Sequence, residues 1–157
     1  SKLTGNGNTS ATPEVLVTIG GLGTALAAAS ISSTQFDISE FDVSAGGTLS
    51  ATVNYNEQVT VVGSPTIVVT NSQAGGGSAA TLTLTKSAAT ANSITFTLVV
   101  GAAGSTISAD DVLSIGAQNV ALAGGTIKDT AAATDTNALV AISAGAGSIA
   151  GTITAIA

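Results

Sequence analysis

Three stretches of this chain alternate apolar and small polar residues at a period of two. Thr48-Leu49-Ser50-Ala51-Thr52-Val53-Asn54-Tyr55 puts Leu49, Ala51, Val53 and Tyr55 on one face, and Thr81-Leu82-Thr83-Leu84-Thr85 and Ser93-Ile94-Thr95-Phe96-Thr97-Leu98 repeat the pattern. Successive side chains of a strand point to opposite faces, so such segments are half-buried strands; an amphipathic helix would need a period near 3.6. Threonine and valine, stiff at χ1, also pack better on a pleated sheet than on a helix. Val59–Val62, Thr66–Thr70, Gln118–Leu122 and Ala138–Ile142 read as further short strands. Turn signals at Ala45-Gly46-Gly47, Gly63-Ser64-Pro65 and Gly75-Gly76-Gly77 separate them. Short alternating strands punctuated by glycine turns predict an antiparallel β-sandwich.

The chain divides into three parts. Residues 1–33 form an N-terminal arm: a polar tract, the strand-like Val15-Leu16-Val17-Thr18-Ile19, a Gly20-Gly21 break, and an alanine-rich Leu22–Ser30 that suits a short helix. Residues 34–142 carry the sandwich. Residues 143–157 are a charge-free tail whose Ser148–Ile156 stretch reads as a last strand, which must pair in its own sheet or in a neighbour's. Val15–Ile31 lacks charge but is too short and too rich in glycine and threonine to span a bilayer. It also lacks the compact basic region of a signal peptide. Synthesis in the cytoplasm without a leader is the expectation.

Composition narrows the chemistry. No histidine, cysteine or arginine occurs, and the three positive charges are Lys2, Lys86 and Lys128 against nine carboxylates. Acid–base work near neutral pH, thiol chemistry and bidentate anion clamping rest mostly on the missing residue types. Lys86, in an apparent polar loop, and Lys128, in a Gly-Gly-Thr-Ile-Lys-Asp strand, lack the desolvated setting that would make a lysine a base. The expectation is a protein that is not an enzyme. A net charge of −6 argues against nucleic acid as a partner, and no membrane partner is expected. The four aromatics, Phe36, Phe41, Tyr55 and Phe96, sit in strand patterns as core residues.

Gly46–Asn71 (GGTLSATVNYNEQVTVVGSPTIVVTN) and Ser93–Val140 together resemble the bacterial immunoglobulin-like repeat of large surface adhesins and tailed-phage virion proteins. Asn56-Glu57-Gln58-Val59 stands at the place of its Ser-Glu-Pro-Val type turn, and Gly63-Ser64-Pro65-Thr66 at its Gly-x-Pro-x strand start. Thr95-Phe96 matches the central apolar strand, Asp110-Asp111-Val112 the acidic corner, and Gly124-Gly125-Thr126-Ile127-Lys128-Asp129 the closing Gly-Gly-x-Ile-x-Asp signature. After that aspartate the chain departs from the family's small-residue Gly-Asn turn, reading Thr130-Ala131-Ala132-Ala133-Thr134-Asp135-Thr136-Asn137. The resemblance implies an all-β, immunoglobulin-like antiparallel β-sandwich with N- and C-terminal extensions. No second copy of the repeat is present.

Two acidic groupings have competing readings. Asp129, Asp135 and Asn137 can supply oxygen ligands to calcium, a use the family resemblance implies for such turns. The same residues are ordinary turn formers, and that reading is favoured; no other cofactor is expected. Asp110-Asp111 reads as a solvated corner or helix cap. Asp37, Glu40 and Asp42, in one strand-like segment around Phe36 and Phe41, read as a charged edge that resists unwanted pairing.

A lone repeat with arms at both ends suits assembly with other chains. The function expected is that of a structural protein of a tailed-phage virion, a capsid decoration protein, made in the host cytoplasm and located in the virion. Its partners would be the major capsid protein or sister subunits in a homo-oligomeric or multi-copy array. Docking is assigned to Val15, Leu16, Val17 and Ile19 of the arm and Ile149, Ile153 and Ile156 of the tail. The alternatives are a secreted adhesin module or filament subunit at the cell surface, and a host-binding tail protein.

Overall fold

A computed structural model describes residues 28–102, 106–130, 136–143 and 151–157, which contain twelve strands and no helix. They are β1 (Ile31–Phe36), β2 (Glu40–Asp42), β3 (Gly47–Tyr55), β4 (Val59–Val62), β5 (Thr66–Asn71), β6 (Thr81–Ala89), β7 (Ser93–Val100), β8 (Val112–Ser114), β9 (Gln118–Asn119), β10 (Thr126–Asp129), β11 (Ala141–Ile142) and β12 (Thr152–Ile156). Eight of them form one sheet in the order β1-β3-β7-β6-β5-β8-β12-β2, antiparallel throughout except for the parallel pair β12 and β2. Two small ribbons, β10 with β4 and β11 with β9, complete the strand pairing.

The strands at the two ends of that order, β1 and β2, are separated in sequence only by residues 37–39. Three residues span at most about 11 Å. The sheet therefore curls until its edges come close together, wrapping a single core as a β-sandwich does. Right-handed strand twist accumulates in the same sense across neighbouring strands and makes such a curl accessible.

The alternating segments lie where their pattern requires. β3 pairs with β7 without a break from Gly47↔Val100 to Asn54↔Ser93. On the inner face Leu49 faces Leu98, Ala51 faces Phe96 and Val53 faces Ile94, so the smallest side chain lies opposite the largest. The outer face carries Ser50 opposite Thr97 and Thr52 opposite Thr95, with the last two hydroxyls 3.2 Å apart. Leu82 and Leu84 of β6 and Ile67 and Val69 of β5 extend the buried face. Each such side chain contributes about 1.5–3 kcal/mol on burial. Phe41, Tyr55 and Phe96 are buried as expected, whereas Phe36 is only partly so.

Several elements differ from the sequence reading. Lys86 belongs to β6, opposite Phe96, and not to a polar loop; a bulge between Lys86 and Ala88 shifts the register and hides the strand's continuation from any alternation test. Of Gln118–Leu122 only Gln118–Asn119 is strand, with an isolated bridge from Ala121 to Thr66, and Ala138–Ile142 shortens to Ala141–Ile142. The alanine-rich Leu22–Ser30 falls mostly outside the described residues, and Ala28–Ser30 is not helical. The sheet begins at Ile31, inside the stretch given to the arm. β12 has β8 on one side and β2 on the other, so the C-terminal strand pairs within its own chain.

Candidate functional site

Three constructions carry the polar and geometric detail of the fold. The first is built on Asp111, which is fully buried instead of lying at a solvated corner. Its Oδ2 accepts hydrogen bonds from Asn71 Nδ2 at 2.8 Å and Ser108 N–H at 2.9 Å, and Oδ1 accepts from Gly75 N–H at 2.8 Å. Burial alone would raise its pKa. The backbone N–H of Ser108, the Asn71 amide and the backbone of Gly75 and Gly77 outweigh that and hold the carboxyl below the ordinary carboxylate value. A side chain at Gly77 would collide with Oδ2 itself, and one at Gly75 with the Ala109 carbonyl, so the glycine run packs against the carboxylate as well as turning the chain.

Asp110, next to it, takes φ 70°, a left-handed conformation that aspartate tolerates. This lets Asp110 N–H donate to Ala155 C=O at 2.8 Å while Ala155 N–H donates to Asp111 C=O at 2.8 Å. The corner thus ties the loop after β5, the loop before β8 and the C-terminal strand together. Its hydrogen bonds are internal, which makes it a structural knot.

The second construction is at the base of the arm. Asp129 is buried, and its Oδ2 accepts from Ala29 N–H at 2.8 Å; Ala29 C=O accepts from Leu139 N–H at 2.7 Å. Ala29 is thereby gripped through both its N–H and its C=O just before the chain enters β1. Of the three calcium candidates, Asp129 faces inward to this grip, Asn137 is exposed opposite Lys128, and Asp135 lies outside the described residues. No cluster of three metal-ligating acidic side chains occurs among the described residues.

The third is the seam where the curled sheet nearly closes. An open groove of about 430 Å³ is lined by Gln35 and Phe36 of β1, Ile38 and Ser39 of the crossing, and Gly151, Thr152 and Ile153. On the β2 side of β12 the register starts at Thr154↔Glu40, so among the described residues Thr152 and Ile153 have ladder partners only in β8. Among the described residues β1 pairs only with β3. Two strand edges therefore flank a slot with a partly apolar lining and no ionisable side chain.

The carboxylates around Phe36 and Phe41 lie near this seam but do not act together. Asp37 accepts from Ser50 Oγ at 2.6 Å and Thr52 Oγ1 at 3.0 Å. Asp42 accepts from Ser44 Oγ at 2.7 Å and from Ser44 and Ala45 N–H, closing an Asx turn; the Ser44 hydroxyl first and these N–H groups next keep its pKa low. Glu40 and Asp42 are exposed on β2, which is an edge strand.

Of the residues assigned to docking, Val15, Leu16, Val17, Ile19 and Ile149 lie outside the described residues. Ile153 is buried in β12, and Ile156 is 37% exposed with its carbonyl accepting from Val43 N–H. The slot escapes sequence reading because its two walls lie more than a hundred residues apart and neither carries a motif. Comparison with protein-family models, with characterised proteins and with solved structures finds no match for this chain.

Proposed function

We propose that this chain is a non-catalytic structural protein with an immunoglobulin-like sandwich, serving as a decoration protein on the capsid of a tailed phage. The strand order supports the fold. With β1 and β2 as a divided first strand and β3, β5, β6, β7, β8 and β12 as the next six, the sheet reads A-B-E-D on one side and C-F-G on the other. The parallel pairing of β2 with β12 joins the first strand to the last. The β4 and β10 ribbon and the β9 and β11 ribbon are then insertions between strands B and C and between F and G.

The observation that carries the assembly reading is the division of labour along the chain. The body satisfies its own C-terminal strand and has a charge-poor outer face of hydroxyl groups, while Ala29, just before β1, is clamped by Asp129 and Leu139. An arm held so firmly at its root transmits load to the sheet. Docking in this reading belongs to residues 1–27 and not to Ile153, whose side chain is buried in the core. Many such weak arm contacts repeated over a shell give avidity without any single strong site.

The test is retention on particles. Deleting residues 1–27, which spares Ala29 and β1, abolishes the protein's occupancy on purified virions while the far-UV spectrum of the sheet is kept. Full occupancy without the arm, or absence of the chain from purified particles by mass spectrometry, refutes the reading.

A further inference from the structure

We propose that the folded body is a clamp for tension: force drawn between its two ends slides the first strands against the last in shear, so the sheet holds where a hairpin would peel. The inference goes beyond the capsid reading and holds whatever the two ends are fixed to.

Strand directions carry it. From β1 the sheet crosses only antiparallel pairs, β1–β3, β3–β7, β7–β6, β6–β5, β5–β8 and β8–β12. An even number of reversals leaves β12 running the same way as β1, and β2 lies directly beside β12 and parallel to it. β1 and β2 are the first strands of the described chain and β12 is the last. Tension on the N-terminal side therefore draws β2 backward along its axis, while tension on the C-terminal side draws β12 forward along the same axis. In that geometry all the hydrogen bonds of the ladder are strained at once and must fail together. An antiparallel pair pulled crosswise opens one bond after another, and forced unfolding is governed by the rate at which its barrier is crossed.

β12 is clasped on both sides. It pairs with β8 from Thr152↔Ser114 to Thr154↔Val112 and with β2 from Thr154↔Glu40 to Ile156↔Asp42. Val43 N–H donates to Ile156 C=O at 2.9 Å, and Asp110 N–H to Ala155 C=O and Ala155 N–H to Asp111 C=O at 2.8 Å each, which extends both ladders. The Asp111 carboxylate in turn fixes that corner to Asn71, Gly75 and Ser108. Sliding β12 forward also draws the buried side chains of Ile153 and Ala155 out of the core. At the other end the pull meets the grip on Ala29 first, then the β1 ladder from Ile31↔Tyr55 to Phe36↔Ala51, continued by Asp37 N–H to Ser50 C=O at 3.0 Å.

Single-molecule pulling on the isolated full chain tests this, and the absence of native cysteine makes the attachment points unambiguous. Handles are joined to the two ends of the chain in one sample and to Thr81→Cys and Gly101→Cys in another. By the register of β6 with β7 these two residues stand at the open end of that hairpin, and a Cβ at Gly101 meets nothing within 4 Å. At equal pulling speed the end-to-end rupture force is expected to be severalfold higher than the force across β6 and β7. Equal forces, or a lower force end to end, overturn the proposal. Val43→Pro removes the N–H that holds Ile156 C=O, in the turn that Gly46 N–H closes on Asp42 C=O, where the fixed φ of proline fits. It is expected to lower the end-to-end force and leave the force across β6 and β7 unchanged; a proportionate fall in both, or no fall end to end, takes the resistance away from the β2–β12 clasp and overturns the proposal. Occupancy on particles is a separate measurement, so the clamp and the capsid reading can each fail while the other stands.

Discussion

Replacing Asp111 by alanine removes the carboxylate at the centre of the knot and leaves three donors, the buried Asn71 Nδ2 and the part-buried Ser108 N–H and Gly75 N–H, without their acceptor. A buried donor left unsatisfied costs about 1–3 kcal/mol. Water entering the vacated space relieves part of that, so about 1–1.5 kcal/mol for each donor gives a loss of roughly 3–4.5 kcal/mol. Domains of this kind have total stabilities of about 5–15 kcal/mol, so the variant remains folded only narrowly. Asp111→Asn keeps one acceptor and turns an amide toward the donor it no longer serves, for a loss of about 2 kcal/mol. Urea unfolding followed by far-UV circular dichroism measures both. With a slope of about 2 kcal/mol/M the alanine variant's midpoint falls by about 2 M and the asparagine variant's by about 1 M.

Acid supplies an independent check. The folded pKa of Asp111 lies below its ordinary value of 3.8. Its contribution is therefore complete above pH 3.8 and drains away as the pH falls through the lower, folded value. The stability gap between the native chain and Asp111→Asn is thus constant from pH 7 to about 4 and narrows below that. A gap under about 1 kcal/mol at pH 7, or one that persists unchanged well below pH 3, refutes the claim that the carboxylate, as an anion, holds the two loops and β12 together.

Two further perturbations test other parts of the fold. Burial raises the Tyr55 phenol to about 12, so the folded state favours the neutral ring; stability is full below pH 10 and is lost as the pH climbs toward 12, and the native chain's phenolate absorbance appears about two units later than that of the urea-unfolded chain. The same hydroxyl is buried with no hydrogen-bond partner among the described residues, and Tyr55→Phe is expected to leave stability unchanged or raise it by up to about 1 kcal/mol in thermal unfolding; a loss above that magnitude contradicts the assignment. Gln118 acts as a substitute peptide unit on β5: its Oε1 accepts from Val68 N–H at 2.7 Å and its Nε2 donates to Val68 C=O at 2.7 Å. Gln118→Glu keeps the first bond and sets a carboxylate against the carbonyl, lowering stability by about 1–2 kcal/mol and speeding hydrogen exchange at Val68; unaltered exchange there shows the pair to be dispensable.

Legibility in the sequence followed the range of the interactions involved. β3 and β7 were readable because each alternates for a full strand length, and a one-residue slip would expose all of Leu49, Ala51 and Val53 at once. β8 shows the opposite case. Its three residues, Val112–Ser114, are too few for a periodic signal, yet it sits between β5 and β12, where Leu113 is completely buried. Asp110 and Asp111 look equivalent in sequence, and only the folded chain brings Asn71, Gly75 and Ser108 around the second of them.

The amino-acid sequence alone determined that this protein is built of half-buried strands, which face of each is apolar, and which ionisable side chains it lacks altogether. Those properties are local: a period of two and an inventory of residue types survive in any conformation. Tertiary structure alone decided that the last strand completes the chain's own sheet, that one aspartate becomes a buried anchor while its neighbour only turns the chain, and that residues of β1 and β12 more than a hundred positions apart line one groove. Each of these depends on backbone groups distant in sequence meeting at hydrogen-bonding distance, and curling of the sheet is what brings them together.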